Sequence, residues 1–257
     1  MTTFALVHGG YHDAWCWEQL TPLLLRAGHG VVTMELPLED SAATFDTYGD
    51  IVCAALDDCD DVVLVGHSYA GNTIPLVAAR RPVRHLVYLC AMIPDVGRSL
   101  AEQLTDKPEM LNPAYEQALS ALDDQLCQRW TELGIARDVF YFDCDEQTAQ
   151  AALDHLRPQS INPALFPFSL TEHPRLPTTY VVCSGDGCCG QNGPEKPFVN
   201  GSMPSSSSCP VDIRRCCHRR RSLPTCCSSW PKRRPSRVAG RRWPADRCRR
   251  PDRGPAR

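Results

Sequence analysis

Short apolar runs alternate with amphipathic stretches along the N-terminal part of the chain. Val62 to Val65 are four consecutive apolar residues, the pattern of a central parallel strand covered on both faces. Phe4 to Val7 and Val31 to Met34 predict shorter strands, and Leu86 to Leu89 and Thr179 to Cys183 predict two more. Trp15 to Ala27 reads as a helix stopped by Gly28. Tyr48, Ile51, Val52, Ala55 and Leu56 share one helical stripe, which predicts a helix over 47–57 packed on the sheet. A further helix is expected over 69–80, kinked by Pro75. Strand alternating with helix implies an α/β fold, a doubly wound and mostly parallel sheet with its site at the carboxyl ends of the strands.

From Pro94 to about Pro177 the pattern changes to helical segments broken by proline, expected over 113–122, 125–133 and 145–156. An insertion of this size between two core strands, at about 95–177, predicts a helical cap over the site. Phe140, Tyr141, Phe142, Leu165, Phe166 and Phe168 are candidates for an apolar acyl pocket, with cap core the plainer role for most of them.

The chemistry sits where the central strand ends. In Gly66-His-Ser68-Tyr-Ala-Gly71 a glycine permits a sharp turn and Ser68 occupies its apex, in the manner of a nucleophile elbow. The pattern Gly-x-Ser-x-Gly has Ala70 at its last position, with Gly71 one residue late. The alternative that Gly-His-Ser alone leaves open is an ordinary loop in which Ser68 caps the helix. The first strand is followed at once by His8-Gly9-Gly10, a loop of the type that supplies an oxyanion amide, or else a plain turn. The two motifs together, in this order, carry the enzymatic reading.

Leu6-Val-His-Gly-Gly-Tyr-His-Asp-Ala-Trp-Cys-Trp17, Gly66-His-Ser-Tyr-Ala-Gly71 and Tyr88-Leu-Cys-Ala-Met-Ile-Pro94 resemble the α/β-hydrolase superfamily. The resemblance covers about residues 1–186 and lies with the small esterase branch that includes plant-type methylesterases and hydroxynitrile lyases. It implies Ser68 as nucleophile, the amides of Gly10 and Tyr69 as oxyanion donors, and an acid after the strand ending at Cys183, where Asp186 stands. Asp95 is a weaker candidate for that acid. The resemblance also implies a histidine base after the acid. Only His218 lies there, inside Cys216-Cys-His-Arg-Arg-Arg221, which fits neither a strand nor a catalytic loop. His8, His12 and His67 flank the site but precede the acid, while His29, His85, His155 and His173 read as surface, strand-end or cap residues.

Charge divides the chain in two. Residues 1–200 hold 11 Lys+Arg against 27 Asp+Glu, and residues 201–257 hold 16 against 3, so the net −3 averages two unlike pieces. Eight of the 15 cysteines and 10 of the 22 prolines follow Ser184, and no strand or helix period survives there. This basic stretch has few lysines and no interleaved aromatics beyond Trp230 and Trp243, which argues against nucleic acid. Its adjacent cysteine pairs lack the spacing with which two thiolates chelate one zinc. A disulfide scaffold requires an oxidising compartment, and Met1 onward shows no signal peptide.

A lost reading frame accounts for the same features. If one base is missing after codon 186, the lost frame joins the last base of each codon to the first two of the next. Asp212 ends in C or T and Ile213 begins AT, so the lost codon is His or Tyr. By the same rule Cys209 through Cys217 can encode Pro-Gly-Gly-His-Ser-Pro-Leu-Leu, which resembles the family's histidine loop. The expected organisation is therefore a truncated hydrolase domain over 1–186 and a basic, disordered, out-of-frame tail over 187–257.

The expected function is a cytoplasmic carboxylester hydrolase acting on small esters, without cofactor, metal, nucleic-acid or membrane partner, and inactive or impaired in this chain for want of its base. Oligomeric state is left open. A hydroxynitrile lyase of the same fold is the first alternative; the resemblance places threonine after the loop histidine in those enzymes, where this chain has Gly9. A small-molecule binder without catalysis is the second.

Overall fold

A computed structural model describes residues 1–182. In chain order the core elements are β1 (Thr3–Val7), α1 (Thr21–Arg26), β2 (Gly30–Thr33), α2 (Phe45–Ala55), β3 (Val62–His67), α3 (Ile74–Arg80) and β4 (His85–Leu89). The insertion holds α4 (Leu100–Asp106), α5 (Ala114–Ala118), β5 (Cys127–Gln128), α6 (Leu133–Phe140), α7 (Glu146–Asp154), β6 (Gln159–Ser160) and α8 (Asn162–Leu165), after which the chain returns to the sheet as β7 (Thr178–Val181). The order β2-β1-β3-β4-β7 is parallel throughout, as the alternating pattern requires.

β3 is buried along Val62 to Gly66 and lies at the centre. One sheet face, carrying Ala5, Val7, Leu64, Leu86 and Tyr88, packs on α2 and α3 through Tyr48, Val52, Leu76 and Val77. The opposite face is thinner: Leu6, Val63 and Val65 meet Trp17 and Leu24, while Val31, Val87 and Leu89 are only partly buried. Among the described residues β4 therefore alternates between buried and half-buried positions.

Three expected helices differ. The stretch 15–27 is a 3-10 turn at Ala14–Trp17 followed by α1, because Pro22 fits the first turn of a new helix better than the middle of an old one. Pro75 acts likewise: instead of kinking one helix it starts α3, after a 3-10 turn at Ser68–Asn72. The stretch 125–133 is not a helix. Leu126 turns at φ +56°, β5 pairs antiparallel with β6, and Leu119 bridges to Trp130. The segments expected over 113–122 and 145–156 contain the shorter α5 and α7; the Asp145 side chain caps α7 by accepting from the Thr148 amide.

The insertion packs a second core of Trp130, Val139 and Leu153 around Tyr11 from the loop after β1, with Tyr115 and Phe140 against it. Arg157 pins it to the loop after β2 by ion pairs to Glu35 and Glu39 at 2.9 and 2.5 Å. Of the residues considered for an acyl pocket, Phe168 belongs to the main core, and Phe142, Leu165 and Phe166 are exposed. Phe140 and Tyr141 reach toward the loop after β1, against His12.

Candidate active site

The chain turns from β3 into its 3-10 turn at Ser68 with φ +52°, a left-handed conformation rare for a residue with a Cβ and costing about 1–2 kcal/mol. Packing holds it there. A Cβ on Gly66 would lie 2.7 Å from Ile74 Cγ2, and one on Gly71 would lie 1.9 Å from the Met92 carbonyl oxygen. The Met92 amide in turn donates to the Ser68 carbonyl at 3.0 Å. The residue that must be glycine for the close crossing is thus Gly71, while Ala70 is fully buried with its methyl accommodated. Tyr69 follows Ser68 in the first turn, where an amide has no partner within the turn itself.

The loop after β1 lies directly on this turn. A Cβ on Gly9 would meet His67 Nδ1 at 3.0 Å and Ser68 Cβ at 3.1 Å, so the backbone passes Ser68 at contact distance. Gly10 is next, and Tyr11 follows at φ +59°. Gly10, Ser68 and Tyr69 are thereby gathered at the carboxyl edge of β1 and β3. Asp186 and His218 lie outside the described residues. Asp95 is drawn to the surface, beside Lys107 and Arg98 at 3.4 and 3.9 Å.

Three histidines surround the turn, and their partners define their protonation. The Leu36 amide donates to His8 Nε2 at 3.0 Å, so the proton sits on Nδ1 and is donated to the Gly9 carbonyl at 2.8 Å. His12 Nδ1 donates to the Gly10 carbonyl at 2.7 Å, leaving Nε2 to accept the Tyr141 hydroxyl at 2.8 Å. Burial lowers the pKa of both. His67 is lowered to about 3, by burial first and then by its neighbours His12 and His8. All three are neutral near pH 7, and two are committed to shaping the glycine loop. Among the described residues no hydrogen bond joins Ser68 Oγ to a histidine. His155 reaches back to the segment after β1, paired to Asp13 at 2.9 Å and stacked on Trp15 at 4.4 Å, and His173 bonds the Pro94 carbonyl.

Sequence reasoning missed Gln159, and it gave Tyr141 only an apolar lining role, not the hydroxyl contact with His12. Gln159 Oε1 accepts the Tyr11 amide at 2.8 Å across 148 residues of chain, and no local pattern announces such a pairing. Among the described residues no group of three or more His, Cys, Asp or Glu is placed to hold a metal ion, and no helix is long and apolar enough to cross a membrane.

A serine forced to positive φ between the central parallel strand and a helix is the backbone signature of a hydrolase of the α/β type. Residues 4–219 match the Alpha/beta hydrolase family, and the chain belongs to it. The matched span runs beyond the 1–186 limit set by the motifs and includes His218. The chain is 39% identical over 124 residues to a carbendazim hydrolyzing esterase of Nocardioides sp. (strain SG-4G), covering 44% of this chain and 50% of the relative. It is 38% identical over 120 residues to an alpha-hydroxynitrile lyase of Arabidopsis thaliana, covering 42% and 46%. The chain thus spans about half the length of these curated relatives. The crystal structure of polyneuridine aldehyde esterase superposes with a TM-score of 0.64 at 23% identity, over 75% of this chain and 84% of that one, a likeness of fold.

Proposed function

We propose that this chain derives from a carboxylester hydrolase for small esters in which Ser68 is the nucleophile, the Gly10 and Tyr69 amides hold the oxyanion, and Asp186 is the acid. The observation that carries the reading is Ser68 at φ +52° with the Gly9 backbone against it. In the intact cycle a histidine takes the Ser68 proton, Oγ attacks the ester carbonyl, and the two amides receive the charge that develops on oxygen. The acyl-serine is then released by water. His8 and His12 already spend their ring nitrogens on the glycine loop, and His67 is held neutral by burial. We therefore propose that the chain from 187 onward is out of frame, that the base is lost with it, and that the chain is inactive or severely impaired.

Esterase is favoured over lyase by Gly9. A Cβ there comes within 3.0–3.3 Å of His67 and Ser68, so a threonine at that position requires both to give way. The Arabidopsis relative is named a hydroxynitrile lyase, so the assay pairs mandelonitrile cleavage with hydrolysis of a short p-nitrophenyl ester. Tight binding of such esters without turnover would favour the binder instead.

Two measurements test the reading. A fluorophosphonate should label Ser68 in the present chain slowly or not at all. Inserting one base after codon 186 should give a chain with Gly-His-Ser-Pro at the lost codon and Ser68-dependent ester hydrolysis faster by on the order of 10⁴. Rapid stoichiometric labelling of the present chain would mean that His218 or another histidine serves as base. An early stop or a tyrosine in the shifted frame, or a repaired chain no faster than this one, would overturn the frame proposal.

A further inference from the structure

We infer that Gln159, a cap residue, is a positioning residue for the oxyanion loop: it locks Tyr11 in its left-handed conformation and so sets where the Gly10 amide points. The inference rests on the esterase reading above.

Four observations converge on one buried carboxamide. Gln159 is 6% exposed and stands on β6, the strand with which the cap crosses the glycine loop. Its Oε1 accepts the Tyr11 amide at 2.8 Å. The same oxygen lies so close to Gly10 that a Cβ there would stop 2.3 Å from it, so the carboxamide packs directly on the Gly10 backbone. The carboxamide also faces the Tyr69 hydroxyl, without a hydrogen bond of full geometry. Gln159 therefore meets the glycine-loop arm of the proposed oxyanion hole, through Gly10 and Tyr11.

Tyr11 gives this contact its leverage. At φ +59° a tyrosine returns to an ordinary conformation unless the surroundings hold it. Its amide is held by Gln159 and its carbonyl accepts the Arg157 amide at 2.8 Å, so both backbone groups are tied to cap residues 157–159. Its ring is held as well, edge-on to Trp130 with centroids 6.0 Å apart. Rotating the Tyr11 φ back would swing the preceding peptide plane, and the Gly10 amide sits one peptide further along that same rotation. Donors in an oxyanion hole act by being fixed beforehand, so a loop free to rotate loses their effect while substrate binding by the cap is little changed.

The test compares Gln159→Met, isosteric but without the acceptor, with Gln159→Glu, which keeps an acceptor oxygen. In the 257-residue chain we expect Gln159→Met to slow the residual phosphonylation of Ser68 by an excess of fluorophosphonate, followed by intact mass over long incubation, about tenfold or more, and where the parent takes up no label the Tyr11 exchange below decides alone. Gln159→Glu should stay within about threefold of the parent, and thermal unfolding of both variants should stay within a few degrees of it. The Tyr11 amide should lose its protection from hydrogen exchange in the Met variant and keep it in the Glu variant. Equal labelling rates with a still-protected Tyr11 amide, or equal losses in both variants, would overturn the inference. Ser68→Ala separates this from failure of the esterase reading. If it leaves labelling of the parent unchanged, Ser68 is not the nucleophile, and Tyr11 exchange alone then decides whether Gln159 holds the loop.

Discussion

At the scale of single residues, the histidines around Ser68 make acid sensitivity a property of the fold. His67 has a pKa of about 3 when folded, against 6.5 when exposed in the unfolded chain. As pH falls through 6.5 the unfolded chain takes up a proton that the folded one refuses. Stability is therefore independent of this group above about pH 7, declines between 6.5 and about 3, and levels off below. The slope reaches at most about 1.4 kcal/mol per pH unit for one histidine. His8 and His12, lowered for the same reason, act in the same direction. Comparing urea midpoints at pH 7 and 4.5, His67→Gln should lose less than the parent does, by about 1–3 kcal/mol. Equal losses in the two would show that His67 is solvated in the folded chain.

Glycines are the second residue-scale test, since their demands differ by position. Gly71→Ala drives a methyl into the Met92 carbonyl and should destabilise by about 3 kcal/mol or more, because backbone cannot step aside as a side-chain end can. Gly134 lies in α6 with open space where its Cβ would be. Gly134→Ala should stabilise by about 0.5–1 kcal/mol through helix propensity. Denaturation midpoints of the pair check the assignment, and similar effects from both would refute it.

At the scale of elements, the sequence was most legible where a single local cause acts. β1, β2, β3, β4 and β7 follow from apolar runs of strand length, and α2 follows from its stripe. Legibility failed where two local causes compete or a distant partner decides. Pro22 and Pro75 are compatible both with a kinked helix and with the start of a new one, and packing of the 3-10 turns chose the second. Cys127 and Gln128 became strand because Gln159 and Ser160 arrive beside them from later in the chain. The same distinction runs through the site: Ser68 and the glycine loop announce themselves within a few residues, while the Gln159 contact joins positions 148 apart.

At the scale of the whole molecule, the topology separates early contacts from late ones. β1 pairs β2 and β3 within the first part of the chain, while β7 reaches β4 only after residues 90–177 have been laid between them. Closing a longer loop costs more entropy, though only about 0.6 kcal/mol for each doubling, and the cap must be compact before β7 can dock. In pulsed hydrogen exchange during refolding, amides of β1 and β3 should gain protection before those shared by β4 and β7. Simultaneous protection would indicate one cooperative step.

The tie between Met92 and Ser68 has a consequence for the chain during synthesis. Every group that bends the elbow, from Val62 to Met92, belongs to one continuous stretch, so a nascent chain can set Ser68 into its strained turn while the cap is still unmade. The clasp on the glycine loop comes from residues 157–159 and leaves the ribosome much later. The Ser68 turn is thus set first and the glycine loop is fastened last, so a translational pause inside the insertion would leave a chain with that turn formed and the glycine loop still free.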